Sequence, residues 1–388
     1  MSDSICMSTY KLVEQGKKHK RAPQNIDTNP VIVGHEFAGV IVKVGEKWKD
    51  QFKPGMKFAQ QPALNYKGSL ASPGYSYEYF GGACTYCIIP HEVMELGCLM
   101  PYDGDSFFEA SLGEPMSCCI GGYHGNYHTN KRNHDLATGT KPDGDILVAG
   151  GCGPMGLGMI TYGIQIENRP KRIVVTDIDD AKIARAAEVI SPEKAAAHGV
   201  ELLYVNTAKM ADPVKELRDI TGGKGYDDVF VMLPIKPVVE MCDKLLAFDG
   251  CMNFFAGPTD NQFSAEINMY NVHYISTHIV GTTGGNNDDL IEANTLAAAG
   301  KIEPAVMVTH VGGINSIVDA TLNLPKIPGG KKLTYTQFDM PLTAIEDFGK
   351  LGETDPLFRK LDEVCSRNRG LWCAEAEKIL FEHFGVEV

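Results

Sequence analysis

The chain has 388 residues, enough for two domains, and its 44% hydrophobic and 22% charged composition is typical of a globular protein that needs no disulfide staples. A net charge of −13 argues against nucleic acid or an anionic membrane as a partner. The sequence begins with no signal-like segment and has no apolar run of about 20 residues. We therefore expect a cytoplasmic protein, outside any membrane, whose eleven cysteines stay reduced.

The first 140 residues are rich in Gly, Pro and Tyr and contain only short apolar runs, such as the predicted strand at residues 40–44. We expect this part to be mostly β structure with irregular loops.

From residue 141 onward, short apolar runs alternate with segments of helical period. The predicted strands cover residues 145–149, 172–176, 202–205, 228–232, 251–256 and 278–281, and the predicted helices cover residues 157–166, 181–190, 213–220 and 238–247. Strands that alternate with helices predict a doubly wound parallel sheet with helices on both faces, so the fold class is α/β. We place this domain at residues 141–299, and expect residues 300–388 to rejoin or extend the first domain.

A glycine-rich loop follows the first of these strands with the spacing G-x-G-x-x-G, formed by Gly151, Gly153 and Gly156. The first glycine allows a tight turn, the second lets the backbone approach a pyrophosphate, and the third lets the helix pack against the strand. Pro154 and Met155 open that helix, whose free N–H groups favour an anion. The pattern predicts a Rossmann-type dinucleotide site, although a glycine-rich turn without a ligand is the simpler alternative.

Asp177 ends the next predicted strand, where an acidic residue is expected to hydrogen-bond the adenosine ribose. A carboxylate there repels a 2′-phosphate, so we expect NAD(H), with NADP(H) as the second choice. The alternative role for Asp177 is a helix N-cap. The nicotinamide is expected to lie near the backbone of Gly281, Thr282 and Thr283.

Four residues in the first domain are of the types that bind zinc: Cys6, His35, Glu36 and Glu114. Their spacing alone does not define a metal site, because isolated Cys and His residues are usually structural.

Local sequence around these residues resembles the medium-chain dehydrogenase/reductase family, in its zinc-containing polyol dehydrogenase branch. The resemblance rests on residues 34–40 (GHEFAGV), on Ser8 two residues after Cys6, on residues 114–117 (EPMS) and on residues 148–157 around the glycine loop. It implies a GroES-like catalytic domain over residues 1–140, completed by residues 300–388, beside the Rossmann domain.

The resemblance also implies the chemistry. One catalytic Zn²⁺ would be bound by Cys6 and His35, with Glu36 and Glu114 sharing the ligand and water-holding roles, and Ser8 would relay the proton. The reaction would be hydride transfer between nicotinamide and a polyol or ketose, since zinc lowers the pKa of a bound water to about 7 and acts similarly on an alcohol. A homo-oligomer is expected by the same analogy.

A narrower resemblance, at residues 62–68, 254–259 and 323–332, is to L-sorbose 1-phosphate reductases. It implies interconversion of L-sorbose 1-phosphate and D-glucitol 6-phosphate. The basic run at residues 17–21 precedes His35, and Lys20 and Arg21 are candidates to hold the substrate phosphate, although a solvated loop is the simpler interpretation.

The sequence departs from the family pattern in two ways. Family members carry several strands before the first zinc cysteine, whereas Cys6 is almost at the start of this sequence, which implies that those strands are absent. Residues 60–82 contain no cysteine, so no structural zinc is expected, and Cys84 and Cys87 are interpreted as two thiols in a strand.

Two other functions remain open from the sequence. One is a zinc-free quinone or enone reductase of the same superfamily, which would contain no metal. The other is a non-catalytic dinucleotide-binding protein, which would bind NADH without turning over any polyol or ketose.

Overall fold

The computed structural model describes residues 1–129 and 133–387. The strands, in chain order, are β1 (Ser2–Ile5), β2 (Phe37–Val40), β3 (Lys57–Gln60), β4 (Leu99–Pro101), β5 (Tyr127–Thr129), β6 (Leu136–Thr138), β7 (Asp145–Ala149), β8 (Arg172–Asp177), β9 (Glu201–Asn206), β10 (Tyr226–Val231), β11 (Leu246–Phe254), β12 (His278–Val280), β13 (Val308–Gly313), β14 (Lys331–Tyr335) and β15 (Thr343–Ala344).

The α-helices, in chain order, are α1 (Met7–Gln15), α2 (His91–Glu95), α3 (Phe107–Gly125), α4 (Pro154–Gly163), α5 (Asp180–Val189), α6 (Pro192–Ala197), α7 (Pro213–Ile220), α8 (Lys236–Leu245), α9 (Met269–Tyr274), α10 (Asn287–Ala298), α11 (Ile317–Asn323), α12 (Phe348–Leu351), α13 (Pro356–Arg367) and α14 (Ala374–Phe384). Within the described ranges, none of these helices combines the length and the apolar character that crossing a membrane requires.

The chain divides into two compact units. The first comprises Met1–Pro115 with Asn286–Val388, and the second comprises Met116–Gly285. The first boundary therefore lies earlier than residue 141, where the alternation of strands and helices begins in the sequence. The reason is that the β5–β6 hairpin belongs to the second unit, where Thr129 donates hydrogen bonds to the Asp249 carboxylate.

The second unit is built on a six-stranded sheet in the order β12-β11-β10-β7-β8-β9, with every neighbouring pair parallel. Its central strands β7, β8 and β10 are almost entirely buried, as expected where helices cover both faces of a parallel sheet. In the core, Leu147, Val229 and Met252 are fully buried. The predicted α/β fold class, with a parallel sheet, is confirmed.

The first unit is built on a seven-stranded sheet in the order β15-β13-β14-β1-β2-β3-β4. Strand β1 lies between β14 and β2 and is antiparallel to both. The ring of Phe37 packs edge-on against Phe58 and Phe80 in the main apolar cluster of this unit.

The C-terminal segment is bound to the start of α3 within the first unit. The buried carboxylate of Glu377 accepts hydrogen bonds from the backbone N–H groups of Phe107 and Phe108 and from the Tyr335 hydroxyl. It thereby satisfies two of the four N–H groups that a helix N-terminus leaves without intrahelical partners.

Two local predictions in the first 140 residues are wrong, and a long helix was missed. The strand predicted at 40–44 ends at Val40, so only its first residue is in β2. Helix α3, of 19 residues, was not predicted at all. Cys84 and Cys87 lie in an irregular segment and not in a strand.

Candidate metal and cofactor sites

A cluster of metal-binding side chains lies in the first unit. Cys6, His35 and Glu36 each place one potential ligand atom within 4.8 Å of the other two. Cys6 is the residue between β1 and α1, while His35 and Glu36 directly precede β2, so the pairing of β1 with β2 brings them together. Gly34 is required at this point, since it has φ +90° and a Cβ there would lie 2.3 Å from an Asp3 carboxylate oxygen.

The donor types fit a zinc ion, because thiolate, imidazole and carboxylate are its usual ligands. Burial raises the pKa of the Cys6 thiol to about 12, and the charge of Glu36 adds to this shift. Burial lowers the pKa of His35 to about 4, so its imidazole is neutral and has a lone pair to offer. A divalent cation would reverse the effect on Cys6, since a coordinating thiol is deprotonated.

Glu36 is held by a lysine that the sequence had not marked as a site residue. Lys331, at the start of β14, hydrogen-bonds both carboxylate oxygens of Glu36, and both side chains are buried. Burial opposes both charges, but the pair outweighs it, so the pKa of Glu36 is lowered and that of Lys331 is raised. The Glu36 carboxylate is therefore charged and paired with Lys331, so a metal ion would have to compete with the lysine for it.

Glu114 lies on α3, is buried, and is not among the residues of the tight cluster. Its charge nevertheless raises the pKa of Cys6 and of Tyr75, which places the carboxylate within electrostatic reach of the cluster. Both carboxylates therefore lie near Cys6 and His35: Glu36 within the tight cluster and paired with Lys331, and Glu114 outside it but within electrostatic reach.

Hydroxyl groups surround His35. Thr9 Oγ1 lies 3.3 Å from Nδ1, and the Tyr75 hydroxyl lies 3.2 Å from Nε2. Ser8, in the first turn of α1, lies near the Tyr75 hydroxyl and opposes the rise in the pKa of Tyr75 that burial causes. Sequence reasoning identified Ser8 but missed Thr9 and Tyr75; Thr9 follows Ser8 directly, whereas no local signal marks Tyr75.

The predicted phosphate-binding run separates into different environments. Lys17 pairs with Asp27 at 2.9 Å, and Lys20 is exposed. Arg21 instead donates to the Leu70 carbonyl and places its guanidinium 5.6 Å from the centre of the Tyr75 ring. Its charge contributes to the lowered pKa of His35, so Arg21 is the cation of this run that reaches the cluster.

The glycine loop of the second unit has the local geometry that a pyrophosphate needs. A Cβ at Gly156 would lie 2.1 Å from the Gly151 carbonyl oxygen, and one at Gly151 would contact Val148 and Val175 at under 3 Å. Beside Gly153 the space is open. Gly153 precedes α4, whose first turn, with Pro154 and Met155, is half-exposed.

The other predicted cofactor residues lie at the same edge of the parallel sheet. Asp177 ends β8, and residues 281–283 follow β12, so both lie at the carboxyl ends of strands, as does the loop after β7. Asp177 is not the helix cap: that role belongs to Asp179, which accepts from the N–H groups of Ala181 and Lys182. The Asp177 carboxylate accepts from its own turn, through Ile178 and Asp179.

Comparison with known proteins identifies the family of the chain. Residues 2–97 match the alcohol dehydrogenase GroES-like domain, and residues 154–299 match the zinc-binding dehydrogenase model. The chain belongs to the zinc-binding medium-chain dehydrogenases, in the polyol dehydrogenase branch, and is an oxidoreductase of the alcohol and polyol dehydrogenase type.

Three relatives match nearly all of the chain. A protein designated YggP from Escherichia coli is 51% identical over 100% of this chain and 91% of its own length. A mannitol-1-phosphate 5-dehydrogenase from Aliivibrio fischeri is 50% identical over 100% and 92% of the two chains. An L-sorbose 1-phosphate reductase from Klebsiella pneumoniae is 41% identical over 99% and 90%.

Solved structures show the same fold. The crystal structure of galactitol-1-phosphate dehydrogenase from Escherichia coli superimposes with a TM-score of 0.65, covering 86% of this chain and 90% of its own, at 16% identity.

Proposed function

We propose that this enzyme transfers a hydride between nicotinamide and the secondary alcohol or ketone of a hexitol or ketose phosphate, with one catalytic zinc bound at Cys6, His35 and Glu114. The approach of Cys6 to His35 within the tight cluster is the observation that carries the proposal, because thiolate and imidazole suit zinc, and Glu114 would add the carboxylate. Bound zinc would polarise the ketone or stabilise the alkoxide.

The chain's own residues supply the remaining functions. Lys331 keeps Glu36 charged and in place beside the ligands. Ser8, two residues after Cys6 and in the first turn of α1, would pass a proton from the reacting oxygen to solvent. Arg21 is the residue we assign to the substrate phosphate, with Lys20 at the exposed rim.

The cofactor is proposed to be NAD(H). Gly151, Gly153, Pro154, Met155 and Gly156 would bind its pyrophosphate at the start of α4, where N–H groups and the helix dipole favour an anion. Asp177 would accept the ribose hydroxyls, and residues 281–283 would border the nicotinamide.

The mannitol-1-phosphate 5-dehydrogenase and the L-sorbose 1-phosphate reductase have names that place the reacting carbon at different distances from the phosphate. L-sorbose 1-phosphate carries its carbonyl on C2, next to the phosphorylated carbon, whereas oxidation of mannitol 1-phosphate at C5 occurs at the far end of the chain. We propose the first pair, L-sorbose 1-phosphate and D-glucitol 6-phosphate, on the sequence resemblance at residues 62–68, 254–259 and 323–332. The enzyme is expected to be a homo-oligomer.

An assay of the zinc-loaded protein with NADH distinguishes these substrates. L-sorbose 1-phosphate should be reduced at least tenfold more efficiently, in kcat/KM, than D-fructose 6-phosphate, a difference of about 1.4 kcal/mol. Both should exceed the unphosphorylated L-sorbose and D-fructose. Equal efficiency with and without phosphate would refute the sugar-phosphate assignment, and a preference for D-fructose 6-phosphate would replace the substrate with a hexitol 1-phosphate oxidised at C5.

A further inference from the structure

Tyr75 is a buried tyrosine whose hydroxyl ends inside the metal-ligand cluster. Its side chain is 6% exposed, its hydroxyl lies 3.2 Å from His35 Nε2, and the two rings are 4.8 Å apart between centroids. None of the sequence motifs of the site includes this residue, which stands 40 positions after His35.

The hydrogen bonds of His35 determine what Tyr75 can do. A neutral imidazole has one N–H and one lone pair, on different nitrogens. We assign the proton to Nδ1, where it donates to Thr9 Oγ1, which leaves the lone pair on Nε2 to accept from the Tyr75 hydroxyl. A metal ion needs that same lone pair, so metal binding and the hydrogen bond from Tyr75 exclude each other.

When a metal ion takes the lone pair of His35 Nε2, the buried Tyr75 hydroxyl loses its hydrogen-bond acceptor. The nearby Ser8 hydroxyl lowers the pKa of Tyr75, as a donor to the phenol oxygen does, so it does not take the place of the lost acceptor. A buried donor without an acceptor is costly, so the freed proton must find another acceptor close to the metal. A substrate oxygen bound at the metal site meets this need once the Glu114 carboxylate, whose charge also reaches Tyr75, is taken up by the metal.

We propose that Tyr75 is a substrate-contacting catalytic residue: in the metal-loaded enzyme its hydroxyl donates a hydrogen bond to the reacting oxygen of the ketose or polyol. This rests on the proposed function for the identity of that oxygen. Such a bond orients the carbonyl for hydride transfer and stabilises the negative charge that develops on oxygen.

The ring of Tyr75 also connects this end of the site to the phosphate end. His19 stacks on it at 5.6 Å between centroids with the rings 7° from parallel, and the Arg21 guanidinium lies 5.6 Å from its centre. These contacts fix the ring, so one side chain sets both the position of the hydroxyl and that of the cation proposed to hold the phosphate.

The first test measures metal binding without substrate. Tyr75→Phe keeps the ring and removes the hydroxyl that competes for Nε2. The zinc dissociation constant of Y75F, from competition with a chelator, should fall roughly 2- to 10-fold below that of the wild type, the range of one neutral hydrogen bond. Tyr77→Phe is the matched control, since its hydroxyl bonds to Glu92, and its zinc affinity should be unchanged.

The second test uses the visible absorption of the Co²⁺-substituted protein, which reports an oxygen ligand at the metal. L-sorbose 1-phosphate, D-fructose 6-phosphate and unphosphorylated L-sorbose are titrated into wild type, Y75F and Y77F. Y75F should bind each responding sugar roughly 2- to 10-fold more weakly, as expected for a hydrogen bond to a neutral carbonyl oxygen, while Y77F matches the wild type.

The outcomes separate this inference from the proposed function. If the wild type responded to L-sorbose but to neither sugar phosphate, the sugar-phosphate assignment would be wrong. The proposed role of Tyr75 would still be supported if Y75F bound L-sorbose more weakly. Unchanged or weaker zinc binding by Y75F, or sugar affinities within twofold of the wild type, would overturn the role of Tyr75 whatever the substrate proves to be.

Discussion

Lys331 and Glu36, which are 295 positions apart in the chain, form an ion pair in which both side chains are buried beside Cys6 and His35. The pair explains how a buried carboxylate can remain charged next to two other potential metal ligands. Glu36 also lies beside Ser4 of β1, whose backbone N–H donates to the Glu36 carbonyl at 2.9 Å. The pair thus links the strands that build the site.

Lys331→Met should therefore destabilise the first unit strongly. Removing one partner of a buried pair leaves an uncompensated charge, which costs about 3–5 kcal/mol. The free energy of unfolding from urea titration at pH 7 measures this loss. Lys17→Met is the control, because its pair with Asp27 is exposed, and it should change stability little. If the free energy of unfolding of K331M were less than about 1 kcal/mol below that of the wild type, the pair would not hold Glu36.

Asp177→Ser should weaken NADH binding and change the preference between cofactors. Loss of hydrogen bonds from ribose hydroxyls to a carboxylate costs about 1.5–3 kcal/mol, or roughly 10- to 100-fold in the NADH dissociation constant, while NADPH should lose much less. Fluorescence titration with both cofactors measures the ratio.

Asp179→Ala is the control for that experiment. It removes the N-cap of α5 and should lower stability by about 0.5–2 kcal/mol, but should leave the NADH to NADPH ratio unchanged. If D177S weakened the binding of NADH and NADPH equally, Asp177 would not be the residue that binds the ribose hydroxyls.

Two substitutions in the glycine loop should affect different properties, one the stability of the second unit and the other its affinity for NADH. Gly156→Ala forces a Cβ against the Gly151 carbonyl and should destabilise the second unit by about 1–3 kcal/mol, as overpacking does. Gly153→Ala meets open space, so its melting temperature should stay near that of the wild type while NADH binding weakens. Thermal unfolding with and without NADH separates the two, and unchanged NADH affinity in G153A would argue against this loop as the pyrophosphate site.

His128 makes the stability of the second unit depend on pH. Burial lowers its pKa, but the hydrogen bond and charge of Asp228, followed by Asp249, outweigh burial and raise the pKa above 6.5. The charged form is thus favoured by folding, so this contribution is complete below pH 6.5 and is lost as pH rises through the folded pKa.

His128→Gln should remove this component. The wild type should lose stability between pH 6 and pH 8.5 relative to H128Q, as measured by urea unfolding at both pH values. Asn126 and Lys141 keep the Asp228 carboxylate hydrogen-bonded in the variant, so the fold should persist. Identical pH profiles for the two proteins would show that His128 is not charged in the folded state.

Prediction from sequence succeeded where structure is local. Helix α7 was predicted at its observed bounds, because Asp212 and Pro213 mark its start and its apolar residues recur at helical spacing. The central strands of the parallel sheet, β7, β8 and β10, are short, mostly buried runs followed by a helix, which period and length reveal.

Helix α3 was missed because its sequence is apolar on most sides and contains Pro115, so neither an amphipathic period nor an uninterrupted helical composition was visible. Strand β1 was missed for the opposite reason: Ser2, Asp3 and Ser4 are polar yet buried.

The same distinction applies to the site. Cys6 and the His35–Glu36 pair were found because short motifs carry them, and the structure brings them together. Lys331 and Tyr75 join the cluster only through strand pairing and long-range folding, so no sequence spacing could indicate them.

The central proposal is that zinc held by this cluster makes the protein a ketose phosphate reductase. The most direct measurement is zinc stoichiometry, determined together with NADH-dependent reduction of L-sorbose 1-phosphate, in the wild type and in Cys6→Ser. The proposal predicts one zinc per chain and turnover in the wild type, and loss of both in C6S, with Cys373→Ser unaffected as the control. Retention of zinc and activity by C6S would contradict it.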